Sequence, residues 1–169
     1  QQGTIHMNTN ASLPSVLERL FEAGLDSIRV SMNSVRESCY RTYFRPKGYR
    51  LDDVVESIDM AGRKGKFVSI NYLNLPRFTD AKSEVAALLS FLDSHPVDMI
   101  QWRNLNLDPV RYWQIMKNRS LDELMGMGTL LAKIRQTFPG LKFGYFNPPK
   151  EKFSLTRING NQKYPPPRH

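Results

Sequence analysis

Four short segments share one pattern, an apolar residue at every second position with amides and hydroxyls gathering toward the C-terminal end. They are Thr4-Ile5-His6-Met7-Asn8-Thr9-Asn10, Ser27-Ile28-Arg29-Val30-Ser31-Met32-Asn33-Ser34, Phe67-Val68-Ser69-Ile70-Asn71-Tyr72 and Met99-Ile100-Gln101-Trp102-Arg103-Asn104. A period of two is the signature of a strand covered on one face. The other face then carries His6, Asn8 and Asn10; Arg29, Ser31 and Asn33; Ser69 and Asn71; and Gln101 and Arg103. Helical stretches separate the segments, so the strands lie parallel, joined by right-handed crossovers. Helices cover the apolar face, and the polar face is left to water or a polar ligand.

The helix signals are local. Ser12 with Pro14 opens a helix striped by Leu13, Val16, Leu17 and Leu20 and ended by Gly24. Residues 35–47, with Tyr40, Tyr43 and Phe44, read as a short helix running into a loop at Pro46 and Gly48. Leu51 to Lys64 carries Asp52 and Asp53 in its first turn and Arg63 and Lys64 in its last, matching the helix dipole. A further helix runs from about Thr79 to Ser94, and an irregular stretch with Tyr112 and Trp113 follows the fourth strand. Ser120-Leu121-Asp122-Glu123 reads as a capping box for a helix ending near Phe138, before a fifth strand from Leu141 to Phe146. After Pro148-Pro149 no periodicity remains. The expected organisation is therefore one unit over residues 1–147 and a flexible, basic, Pro-rich tail over 148–169.

Strands of a doubly wound sheet are covered on both faces and read as continuous aliphatic runs. These alternate, which favours a barrel with helices on its outer face. Five strands cannot close the usual barrel of eight. The fold class expected is α/β, a partial (β/α) TIM-like barrel of about five parallel strands.

Charge and cysteine narrow the function. The formal charge is +8, but half of the excess falls after Asn147, where Lys150, Lys152, Arg157, Lys163 and Arg168 face only Glu151. No helix bears a dense basic stripe, which speaks against a nucleic-acid partner and for a solvated tail. No apolar run is long enough to span a membrane, and no signal peptide is visible, so a cytoplasmic location is expected. Cys39 is the only cysteine, which excludes an internal disulfide and an all-cysteine metal site.

In barrels of this kind function gathers at the C-terminal strand ends. Asn8, Asn10, Ser31, Asn33, Asn71, Gln101, Arg103 and Asn104 fall there or just below. Buried without partners, each would cost about 1–3 kcal/mol. The alternative is a closed network among these side chains and water. Asp80 and Glu84, one helical turn apart, read as helix-start residues, and Asp108 before Pro109 as a turn residue that remains a candidate. His6, His95 and His169 show no ligand spacing, Cys39 reads as a structural thiol, and no phosphate loop or nucleophile elbow occurs.

In order, Asn8-Thr9-Asn10-Ala11-Ser12 resembles the Thr-Asn-Gly segment of radical S-adenosylmethionine (SAM) enzymes, and Gly24 to Ser34 is similar to their fourth strand. Asn71 to Asp80, with Glu84 beyond, is similar to the fifth strand and its loop, and Met99 to Pro109 to the sixth. The resemblance covers roughly residues 4–110. It implies a partial barrel whose polar interior holds a [4Fe–4S] cluster and SAM. Reductive cleavage of SAM then gives a 5′-deoxyadenosyl radical that takes hydrogen from a substrate. By the same resemblance Asn8, Thr9 and Asn10 lie near the methionine part, Ser31 and Asn33 bond its carboxylate or the ribose, and Asn71 contacts the ribose. Leu73, through its backbone, and Gln101 serve the adenine, while Arg103, Asn104 and Asp108 face the substrate.

The departures from that pattern are as informative. The cluster requires three cysteines in a CxxxCxxC loop. The chain lacks it, lacks the Gly-Gly-Glu-Pro segment that holds the amino group, and has Ala11 where glycine is expected. Gln1-Gln2-Gly3 also runs straight into a strand, as in a piece of a longer chain. The expectation is a C-terminal fragment of a radical SAM enzyme, inactive alone and binding neither SAM, cluster nor metal by itself. Its partner is the missing N-terminal part of the parent, with the unpaired edge of the first strand open to dimerisation. Two alternatives stand beside it: a degenerate half-barrel that binds a partner or RNA, and an unrelated barrel enzyme acting on a small polar substrate.

Overall fold

In a computed structural model the chain is described over residues 3–105, 107–116, 123–144 and 146–153. The order is β1 (His6–Thr9), α1 (Pro14–Glu22), β2 (Ser27–Met32), α2 (Glu37–Phe44), α3 (Leu51–Arg63), β3 (Phe67–Asn74), α4 (Lys82–Ser94), β4 (Met99–Asn104), α5 (Pro109–Met116), α6 (Met127–Thr137) and β5 (Lys142–Phe143). All five strands pair in parallel in the spatial order β1-β2-β3-β4-β5. A doubly wound sheet reverses its order at a switch point. This one never does, so it is a segment of a barrel wall.

The apolar face builds the core. The register aligns Met7, Ile28 and Val68, then Thr9, Val30, Ile70 and Ile100, then Met32, Tyr72 and Trp102. Against these rows pack Leu17 and Phe21 of α1, Val54 and Ile58 of α3, Val85 and Leu88 of α4, and Leu130 and Ile134 of α6. A second cluster of Cys39, Leu75, Phe78, Tyr112 and Met116 ties α2 to α5. Among the described residues no helix is long and apolar enough to cross a membrane.

Three elements differ from expectation. The stretch around Tyr112 and Trp113 is a helix, α5: the Asp108 carboxylate accepts the Val110 N–H at 2.9 Å and Pro109 takes the first position, a strong helix start. The helix expected from the Ser120 capping box begins only at Met127. Ser120 lies outside the described residues, and Glu123 to Met125 are extended instead. They are held by an antiparallel bridge of Leu124 to Ala81, with Lys82 N–H donating to Glu123 O and Met125 N–H to Asp80 O. Among the described residues the fifth strand is shorter than expected, pairing Lys142 with Met99 and Phe143 with Ile100. Most of the expected tail lies outside the described residues. Its first part, up to Phe153, holds a 3-10 turn at Lys150–Lys152 and lies against the foot of the sheet.

A polar concave face as candidate ligand site

Parallel register stacks the polar positions in rows across the face free of helices. Lowest are His6, Ser27 and Phe67; next Asn8, Arg29, Ser69 and Met99; then Ser31, Asn71 and Gln101; highest Leu73 and Arg103. Asn33 follows directly on β2. Gln101 is only 3% exposed and Asn33 fully buried.

Among the described residues four buried amide acceptors near the C-terminal strand ends lack a partner: Asn33 Oδ1, Asn71 Oδ1 and Gln101 Oε1 at the parity of the concave face, and Asn74 Oδ1 at the opposite parity. Each costs about 1–3 kcal/mol in that condition. Groups left unpaired at such cost suit a ligand that brings donors. Asn33 is otherwise engaged, its Nδ2 donating to Cys39 O at 3.3 Å and to the Tyr112 hydroxyl at 3.2 Å.

The foot of the face is satisfied by contrast. Arg29 donates from Nη2 to Asn147 Oδ1 at 2.9 Å and from Nε to Ser69 Oγ at 3.4 Å. Burial, and then the like charge of Arg103, lower the Arg29 pKa. Burial, and then Arg29, lower that of His6.

The loop after β2 is braced from behind. Arg36 Nε donates to Glu84 Oε2 at 2.7 Å, Arg36 Nη1 to Ser83 Oγ at 3.1 Å, and the Tyr72 hydroxyl to Glu84 Oε1 at 2.6 Å. Glu84 is fully buried. Its role is thus to anchor α4 to β3 and to the loop between β2 and α2, beyond the helix-start role read from its position. Asp80, expected at the same helix start, instead accepts the N–H groups of Arg77 and Gly126.

Of the residues singled out from the sequence, Asn8, Ser31, Asn71, Leu73, Gln101 and Arg103 share the concave face, with Asn33 at its upper end. Thr9 does not: it lies in the row of Val30 and Ile70, and its Oγ1 accepts the Ala11 N–H at 2.9 Å. Asn10 is exposed, its Oδ1 accepting from the Ser12 N–H and hydroxyl in the turn into α1. Asn104 pairs in register with Asn74, opposite in parity to Arg103, and Asp108 caps α5. Ala11 adopts φ +54°, a left-handed conformation that glycine takes without strain. Asn147, which touches three strands, escaped the sequence reading because nothing periodic surrounds it.

Cys39 is buried on α2 in the satellite cluster, and burial pushes its thiol pKa up. Among the described residues no three His, Cys, Asp or Glu side chains group as metal ligands do.

Sequential parallel strands, helices on one side and unpaired amides on the other define a partial (β/α) barrel with a polar concave face. Residues 1–91 match the model of the radical SAM superfamily, more than half of the 169 residues. The chain belongs to that superfamily. Among solved structures it is similar to a radical SAM methyltransferase from Sphaerobacter thermophilus, at TM-score 0.51 and 15% identity, covering 68% of this chain and 38% of that one. A search of curated proteins finds no match. The family match stops short of Met99 to Pro109, so the sixth-strand likeness rests on sequence pattern and strand position.

Proposed function

We propose that the chain forms the C-terminal wall of a radical SAM enzyme's cofactor site, completed by an N-terminal part of the parent protein. The observation that carries this reading is the trio of unpartnered acceptors on Asn33, Asn71 and Gln101. The adenine amino group and the ribose hydroxyls of SAM are donors of the kind these acceptors lack. In this reading Asn8 and Asn10 flank the methionine end, with Thr9 shaping the turn between them. Ser31 and Asn33 meet the carboxylate or ribose, Asn71 the ribose, and Gln101 with the Leu73 backbone the adenine. Arg103 faces the substrate, and Asn104 and Asp108 meet it from the rim.

An iron–sulfur cluster does not fit the residues present, since three thiolates are required and Cys39 alone is available, buried in the cluster that ties α2 to α5. The reading assigns the cluster to the N-terminal part and expects neither cluster nor SAM to stay on this chain alone. In the complete enzyme one electron from the cluster would split SAM into methionine and a deoxyadenosyl radical that takes hydrogen from a substrate. The missing part would pair along the open side of β1, where Ile5, Leu13 and Leu20 are 57%, 57% and 38% exposed. A second copy on that edge is the competing occupant. A reduced cluster suits a cytoplasmic location.

The coding sequence upstream of Gln1 is expected to carry CxxxCxxC within one or two βα units; an upstream stop codon sinks the proposal. A substitution gives a second test with two opposite signs. Gln101→Met removes an unpaired buried acceptor, so it should stabilise the chain alone by about 1–3 kcal/mol in urea unfolding. In the longer, reconstituted protein the same change should weaken SAM binding about tenfold by calorimetry, the ~1.4 kcal/mol of one hydrogen bond. Unchanged SAM affinity would remove Gln101 from the site.

A further inference from the structure

The segment after β5 crosses the foot of the sheet, and one side chain joins three strands there. Asn147 Oδ1 accepts from Arg29 Nη2 at 2.9 Å and from Ser69 Oγ at 3.4 Å. Its Nδ2 lies 2.6 Å from His6 Nδ1 and 3.4 Å from both His6 Nε2 and Ser27 Oγ, and the Ser27 hydroxyl is itself 2.9 Å from His6 Nδ1. Beyond it the Lys150 N–H donates to Thr4 Oγ1 at 3.0 Å, and the Phe153 ring stacks on Phe67 with centroids 4.8 Å apart.

Hydrogen-bond polarity fixes the protonation of this cluster. A guanidinium only donates, so Arg29 sets which end of the Asn147 amide is the oxygen. The amino end is then turned to His6, and the ring nitrogen it meets must accept. His6 is therefore neutral, with its proton on Nε2. A proton on Nδ1 would set it against the Asn147 amino group at 2.6 Å, with only the Ser27 hydroxyl at 2.9 Å to accept it, and protonation of both ring nitrogens would add a positive charge beside Arg29. Charged groups on the elements around His6 are Asp26 and Arg29 at β2, Lys142 of β5, and Lys150, Glu151 and Lys152 of the crossing segment. Arg103 lies higher on the face. Asp26 Oδ2 already accepts the Ile5 N–H at 2.8 Å.

We propose that residues 146–153 form a pH-gated strap, locked across the foot of β1, β2 and β3 by Asn147 while His6 is neutral and released when His6 takes a proton. The locked strap closes the lower end of the concave face and ties the edge strand β1 to the sheet. The inference stands whether or not the face binds SAM. Its sign follows from linkage. The folded-state pKa of His6 is lowered by burial and Arg29, so the strap's stability is complete above the ordinary histidine pKa and falls as pH drops below it.

Amide hydrogen exchange on the full chain tests this. The protection factor of the Lys150 N–H should fall between about pH 7.5 and about pH 5.5, by up to about tenfold per unit below 6.5 until His6 is charged in the closed state. Core amides of β3 serve as reference. His6→Gln, which can still accept but does not titrate, should flatten the profile. Asn147→Asp should invert it, because a carboxylate pairs with both Arg29 and a charged His6 and so raises the histidine pKa. A flat profile in the native chain, a slope shared with the β3 amides, a slope kept by His6→Gln, or an Asn147→Asp profile of unchanged sign would each overturn the proposal.

Discussion

Glu84→Ala should cost about 3–5 kcal/mol of folding stability, the loss typical of a buried ion pair robbed of one partner. Glu84 is fully enclosed and its two oxygens are taken by Arg36 Nε at 2.7 Å and the Tyr72 hydroxyl at 2.6 Å. The Arg36 side chain is 25% exposed, so its charge retains only part of its hydration once the carboxylate is gone. The Tyr72 hydroxyl, fully buried, would be left without its acceptor. Glu84→Gln keeps the shape and an acceptor oxygen and should cost less, about 1–3 kcal/mol. Replacing all three at once, Tyr72→Phe with Glu84→Leu and Arg36→Met, should recover much of the loss, because desolvation disappears with the charges. Urea unfolding measures each variant. A loss below about 1 kcal/mol for Glu84→Ala would show that the pair contributes little beyond its own desolvation.

Gly62→Ala should destabilise the chain although alanine is the better helix former. A Cβ at position 62 of α3 would sit 2.6 Å from Pro96 Cβ and closer still to Pro96 Cγ, well inside van der Waals contact. Helix propensity favours alanine by about 1 kcal/mol, whereas forcing atoms into a filled space costs about 1–3 kcal/mol or more. The proline ring is rigid and cannot swing aside as a long side chain would, so the clash wins. In a Pro96→Gly background the obstruction is gone, and the same Gly62→Ala change should then stabilise by up to about 1 kcal/mol. The sign reversal, read from a double-mutant cycle, separates packing from backbone entropy. A Gly62→Ala variant as stable as the parent would show that α3 and the Pro96 turn slide apart freely.

The wall of the barrel was readable because its signal is a period. Alternation in Ser27 to Asn33 and Phe67 to Tyr72 gave both the strands and the faces, and with the faces Asn71 and Gln101. Elements defined by single contacts were not readable in this way. Glu123 to Met125 leave the expected helix because Ala81 and Asp80 offer backbone partners far away in sequence. Glu84 looked like a helix-start carboxylate, and its buried role depends on Arg36, 48 residues earlier. The α5 start was present in Asp108-Pro109, but the aromatic residues behind it suggested irregular chain. Thr9 entered the candidate site through resemblance and Asn104 through its place at the end of the fourth strand, while their parity already placed them opposite Asn8 and Arg103.

The sheet grows by adding each strand beside its predecessor, so most of its pairing closes short loops. The strap is the exception: His6 and Asn147 stand 141 residues apart, and Thr4 and Lys150 146. Loop-closure entropy rises with separation, which makes these the contacts a folding chain completes last. Interactions absent from the folding transition state act on the unfolding rate and leave the folding rate nearly untouched. The strap therefore works as a kinetic clasp, slowing departure of the edge strand from a sheet that has already assembled without it.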